Sequence, residues 1–357
     1  MKKNLFISNF KQLPWALICS AVLFFAVQGM LSASEGFWRL NYFLSSLPTG
    51  DPIRFESLLR ISKNDERKKV FIIGTSQTRE GIDTAYLNKE FAKDDIVFYN
   101  LGVAGSAQPI DLYMLKDKII NKNPYAIVYM PYIESFYLEY SKDQFIYIDD
   151  FFHHRILPHF FKSLGIRETV MSYTKPILSA LIGKTSIFYR HRNNIRDNIF
   201  TAMRLALGLE KRTEPVLYQN FDMKEEHYYE NKLKEYGNNK YSSNKYSRLN
   251  NYLFKELINE FETKNIPVII IDGPTHPLFK KVMRKEVGDE YVSHLRDQAK
   301  AQNVSFLSLD QMPYFPAEYF TDMVHFNAQG REVFTKFISQ YLRQKLFKFD
   351  YQNLAVK

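Results

Sequence analysis

Val70-Phe71-Ile72-Ile73-Gly74-Thr75-Ser76 is the stretch whose reading decides the fold. Four consecutive β-branched or aromatic residues with no polar alternation describe a strand buried on both faces, the pattern of a parallel sheet. Gly74 and two hydroxyl residues then mark a sharp turn into a helix. Comparable runs recur at residues 96–100, 126–130, 267–271 and 304–309, and helical patterns lie between most of them, at 84–92, 109–121, 246–264 and 278–302. Strand alternating with helix predicts an α/β fold, a doubly wound parallel five-stranded sheet. After the fifth strand, Asn327 is placed to cap a last helix whose Val333, Phe334, Phe337, Ile338, Tyr341 and Leu342 repeat at three and four residues.

Working outward, the sheet domain is expected over residues 70–347, with a tail at 348–357. The alternation breaks at about 134–245, a helical, aromatic and then polar stretch that reads as an inserted lid or subdomain. Residues 35–69 read as a connector of short helices. Before them, residues 12–34 form 23 consecutive uncharged positions, about the ~20 needed to cross a bilayer. Lys2, Lys3 and Lys11 precede this run, which places the N-terminus in the cytoplasm and the bulk of the chain outside a bacterial cell membrane as a single-pass protein. A cleaved signal peptide is the alternative, since Ser32-Ala33-Ser34 offers small residues to a peptidase. Either way the domain is exported, and because Cys19 is the only cysteine and lies in the run, no internal disulfide supports that domain. With 45% apolar and 16% aromatic residues, a packed core is available for the purpose.

The net charge of +9 is local, for residues 151–250 hold 17 Lys and Arg against 9 Asp and Glu. Phe188-Tyr189-Arg190-His191-Arg192 suits an anionic membrane surface or polymer, with a solvated helical face as the alternative. In an exported domain this charge does not imply nucleic acid. His153, His154 and His159 lack partners at ligand spacing, so no metal is expected. No cofactor is expected either, since Gly74-Thr75-Ser76-Gln77-Thr78-Arg79 lacks the glycines and lysine of a phosphate loop.

Ligands of an open parallel sheet bind outside the carboxyl ends of its strands. Ser76 follows the first strand, Gly102, Gly105 and Ser106 the second, Tyr132 the third, and His276 the fourth. Beyond the fifth lies Asp322-Met323-Val324-His325. A serine hydroxyl needs a base to become a nucleophile, and a carboxylate three residues from an imidazole can orient it. Ser76, His325 and Asp322 are therefore the candidate catalytic set, with Tyr132, His276 and Ser106 as candidates for substrate contact.

These blocks resemble the SGNH, or GDSL, hydrolase superfamily over residues 70–132 and 246–345. Gly74-Thr75-Ser76 matches the Gly-Asp-Ser block with Thr for Asp, Gly105 matches the oxyanion glycine, and Asp322-Met323-Val324-His325 matches Asp-x-x-His. The resemblance implies an SGNH/flavodoxin-like sheet, Ser76 as nucleophile, His325 as base, Asp322 as its orienting acid, and the amides of Ser76 and Gly105 as oxyanion donors. It departs after the third strand, where Met130-Pro131-Tyr132-Ile133-Glu134 stands in place of Gly-x-Asn-Asp. The altered blocks and the anchor make the chain similar to the membrane-anchored branch that includes alginate O-acetyltransferases and the D-alanyl transfer proteins of teichoic acid. That similarity implies an esterase or O-acyltransferase acting on a cell-surface glycan or lipid beside a multispanning membrane O-acyltransferase. The alternative is a catalytically silent binding or scaffold protein for an anionic polymer or for such a membrane partner.

Overall fold

A computed structural model of the chain describes residues 13–44, 51–103, 109–137, 186, 191–209, 245–282 and 285–355. Its centre is β1 (Lys68–Gly74), flanked by β2 (Ile96–Asn100) and β3 (Ala126–Met130), with β4 (Val268–Ile271) and β5 (Val304–Leu307) extending one side. All five strands are parallel in the order β2-β1-β3-β4-β5. The order reverses between β1 and β3, where Gly74 pairs in register with Met130.

Side chains alternate across this sheet, and each set meets its own helices. Val70, Ile72, Ile96, Phe98, Val128, Ile269 and Ile271 enter a core with Leu87 of α5 (Thr84–Glu90) and with Phe334, Ile338, Leu342 and Leu346 of α12 (Ala328–Ala355). Phe71, Ile73, Val97, Ile127, Tyr129, Val268 and Ile270 face the other way. There they meet α3 (Asp51–Ile61), α6 (Pro109–Ile120), α9 (Lys245–Thr263) and α11 (Lys285–Gln298) through residues such as Phe55, Leu115, Leu257 and Leu295. Each such fully buried side chain stabilises the fold by about 1.5–3 kcal/mol before chain entropy is counted. Completing the described helices are α1 (Leu13–Ala33), α2 (Glu35–Leu44), α4 (Ser76–Gly81), α7 (Glu134–Tyr137), α8 (Arg192–Ala206) and α10 (Pro277–Val282). The helix expected over 278–302 is thus two helices, α10 and α11. At the start of α12, Asn327 Oδ1 accepts from the amide of Gly330 at 2.9 Å, the expected cap.

In the stretch expected to be a connector, α3 contributes Phe55, Leu58 and Leu59 to the sheet core. Its buried Arg54 donates to Asn100 O at 3.0 Å and to Gly102 O at 3.2 Å. Of the expected insertion, α7 and α8 are described: Phe136 and Tyr137 of α7 enter the sheet core, and α8 is joined to α2 by Asn198 donating to Asn41 Oδ1 at 3.0 Å. On α1, Trp15, Leu17, Val22, Leu23, Phe25 and Met30 are exposed. No single helix among the described residues is long and apolar enough to cross a membrane. Leu17–Ala33 and Glu35–Leu44 meet that test only as a pair, bent by 76°. The histidines at 153, 154 and 159, and Arg190, lie outside the described residues.

Candidate active site

The nucleophile candidate is placed by a turn that glycine alone can make. Gly74 has φ +150°, and a Cβ there would collide with Thr78 Oγ1 and the Met130 carbonyl. Without one, α4 starts directly against the end of β3, and Thr78 Oγ1 donates to Met130 O at 3.0 Å. Thr75 caps α4 by accepting from the Gln77 amide at 3.3 Å, so Ser76 is the first helical residue. Behind it, Asn100 at the end of β2 donates to the carbonyls of Thr78, Arg79 and Ile82 and accepts from the Gly102 amide. A side chain on Gly102 would reach within 2.5 Å of Arg79 N, so β2 and α4 touch backbone to backbone.

The candidate acid and base arrive on one tight turn. Asp322 Oδ1 accepts from the amides of Val324 at 2.9 Å and His325 at 2.8 Å, folding its own loop around the carboxylate. The turn is closed by Thr321 N donating to His325 O at 2.9 Å and by Phe320 stacked on Phe326 with ring centres 4.7 Å apart. The His276 amide donates to Met323 O at 2.9 Å and ties the loop to the end of β4.

The result brings together residues 249 positions apart: His325 Nε2 lies 2.8 Å from Ser76 Oγ. On the other side of the ring, Nδ1 lies 2.8 Å and 3.0 Å from the two Asp322 oxygens. Nδ1 carrying its proton toward Asp322 leaves Nε2 as the acceptor of the serine proton. Burial alone would depress the imidazole, but the hydrogen bond and charge of Asp322, with a contribution from Glu80, outweigh it and raise His325 above its ordinary 6.5. Burial works against the charged form of Asp322 too, and the bonds from His325 and the two amides hold it below the usual range.

Two groups that sequence reasoning did not single out stand beside this triad. Arg79 and Glu80 on α4 are almost fully buried and paired at 2.9 Å. Glu80 Oε2 is 3.9 Å from His325 Nε2, and no hydrogen bond to it exists among the described residues. The available signal was spacing: residues four apart share a helix face, so a helix beginning at Ser76 carries Glu80 below it.

Other candidates fall differently. Gly105 and Ser106 lie outside the described residues. The preceding amides are all committed, Leu101 to Ile72 O, Gly102 to Asn100 Oδ1 and Val103 to Gly74 O. His276 is buried, its Nδ1 accepts from the Leu278 amide at 3.1 Å and its ring meets Phe320, which makes it a brace for α10. Burial depresses it below the ordinary imidazole value. Tyr132 borders a cavity of about 820 Å³ along the carboxyl ends of β3, β4 and β5, with Gln77, Asp272, Phe279, Tyr291 and Arg296 in its walls. None of the triad lines that cavity; Gln77, next in the chain to Ser76, is its link to the site. Among the described residues no cluster of His, Cys, Asp and Glu is arranged to hold a metal.

Fold and site together define a class: a doubly wound α/β protein with a serine, a histidine and an aspartate in relay geometry at the rim of a five-stranded parallel sheet. The chain belongs to an uncharacterised protein family, whose model matches residues 160–347, more than half of it. That match takes in Asp322 and His325 and begins after Ser76. No curated protein matches the chain.

Proposed function

We propose that the chain is a membrane-anchored serine esterase or O-acyltransferase of the SGNH type, acting outside the bacterial cytoplasm on acyl esters of a cell-surface glycan or lipid. One observation carries this reading: the 2.8 Å approach of His325 Nε2 to Ser76 Oγ while Nδ1 is held by Asp322. In the first half-reaction Ser76 Oγ bonds to the acyl carbon as its proton passes to Nε2, and the carbonyl electron pair moves onto oxygen. Collapse of that intermediate re-forms the carbonyl and expels the alcohol, which leaves with the proton from Nε2. Water or a sugar hydroxyl then gives its proton to Nε2, attacks the acyl-serine, and frees Ser76.

The Ser76 amide is one proposed oxyanion donor. The amides of residues 101–103 are already bonded, and the amide of Gly105 is the second proposed donor. Tyr132 stands where SGNH enzymes, which the sequence resembles, place an asparagine, and loss of one such donor costs about 10²- to 10³-fold in rate. The apolar, exposed face of α1 supports an anchor, and a multispanning O-acyltransferase is the proposed partner.

The test is covalent labelling of the full chain by a fluorophosphonate. Ser76 is expected to be the labelled residue, and Ser76→Ala or His325→Ala to abolish labelling; folded wild-type protein that stays unlabelled overturns the proposal. The Tyr132 substitution also favours a second reading, a silent scaffold for an anionic polymer or membrane partner. That reading requires Ser76→Ala to leave the cellular role intact, while charge reversal at Arg190, Arg192 and Arg196 removes it.

A further inference from the structure

A triad explains Ser76, His325 and Asp322 but leaves a second buried carboxylate at the same imidazole without a task. Glu80 is 4% exposed, four residues along α4 from Ser76, and its Oε2 points to the Nε2 side of His325 at 3.9 Å. A carboxylate is costly to bury unless it is paired, and its other oxygen, Oε1, is bound by Arg79 Nη2 at 2.9 Å. Among the described residues, the groups facing the imidazole are Ser76, Arg79 and Glu80 from α4 and Asp322 from its own loop, with His276 behind Asp322.

With a neutral imidazole, Asp322, Glu80 and Arg79 sum to one negative charge. With an imidazolium they sum to zero. Within this described set the charges balance at the moment when His325 has taken the serine proton, and this is where preorganised charge helps a reaction most.

We propose that Glu80 is a positioning residue for this reaction: a second carboxylate, on the Nε2 side, that stabilises the His325 imidazolium and keeps the ring turned toward Ser76. The assignment rests on the serine-hydrolase reading. Burial holds Glu80 itself above the ordinary carboxylate range, with the charges of His325 and Arg79 opposing that rise. As the pH falls and Glu80 takes up a proton, its support of the imidazolium is withdrawn.

The experiment compares the full chain, wild type and Glu80→Gln, in detergent. The His325 ring is titrated by nitrogen-proton NMR, and turnover of p-nitrophenyl acetate is measured across pH. Glu80→Gln is expected to move the His325 titration, and with it the acid limb of kcat/KM, about one pH unit lower. At the same time kcat should fall about tenfold with KM unchanged, and Glu80→Asp should restore most of both. A titration and kcat identical to wild type overturn the proposal, as does an equal effect of Glu80→Asp and Glu80→Gln accompanied by equal loss of thermal stability. If Glu80→Gln does not fold, the wild-type protein decides: the Glu80 carboxyl carbon resonance should inflect at the pH where His325 titrates, and a curve without that inflection overturns the coupling. Ser76-dependent turnover with no Glu80 effect removes this inference alone, whereas wild type without any Ser76-dependent turnover removes the hydrolase reading and this role with it.

Discussion

At the scale of residues, His325 is held by two opposed influences and the net effect has a measurable sign. Its folded value lies above the ordinary imidazole 6.5, and only the neutral ring can accept the serine proton. Activity is therefore expected to fall as pH drops through that raised value, so kcat/KM for a chromogenic acetate should have an acid limb above pH 6.5. The same shift acts on stability. A group raised on folding favours the folded state most below its unfolded value, and that contribution is lost as pH rises through the folded one. Ser76, Asp322 and His325 were legible in the sequence because each sits at the end of a recognisable strand or turn. Glu80 and Arg79 were not, since Arg-Glu in a polar run reads as a solvated helix surface. Only the contact of α4 with β2 and β3, through Gly74 and Gly102, shows that this surface is interior.

At the scale of elements, the sheet was legible strand by strand because strands buried on both faces keep unbroken β-branched and aromatic runs. The part played by α3 was not: Asp51-Pro52-Ile53-Arg54-Phe55-Glu56-Ser57-Leu58-Leu59 is short and mixed in polarity, and its core contact depends on tertiary packing. The division of 278–302 into α10 and α11 was equally hidden, since apolar spacing continues across it. The joint between β2 and α4 depends on Asn100, which bridges three carbonyls and one amide while buried. Asn100→Ala strips partners from those interior groups and is expected to cost about 2–3 kcal/mol in urea unfolding. Because the same bonds seat α4, fluorophosphonate labelling of Ser76 should slow in that variant even at temperatures where it is folded.

At the scale of the whole molecule, the two faces of the sheet are covered unequally, with α5 and the long α12 on one and α3, α6, α9 and α11 on the other. Ahead of this domain lies α1, whose apolar side chains are exposed. If α1 anchors the protein as proposed, alkaline carbonate washing should leave the full chain in the membrane pellet. Substituting Leu17, Val22, Leu23 and Phe25 with Asp should release it to the supernatant; a wild-type chain already in the supernatant would refute anchoring. One further consequence comes from the 249 positions separating the serine from its imidazole. A ribosome adding about 5–20 residues per second needs roughly 10–50 s to travel from one to the other. On the proposed hydrolase reading, the nascent polypeptide carries an unactivated alcohol through that interval, and its reactivity is expected to switch on only after the final loop and α12 have been made and docked. Covalent probe capture is thus also a clock for complete maturation: truncation anywhere before the carboxy-terminal helix should yield a product that no serine-directed reagent can trap.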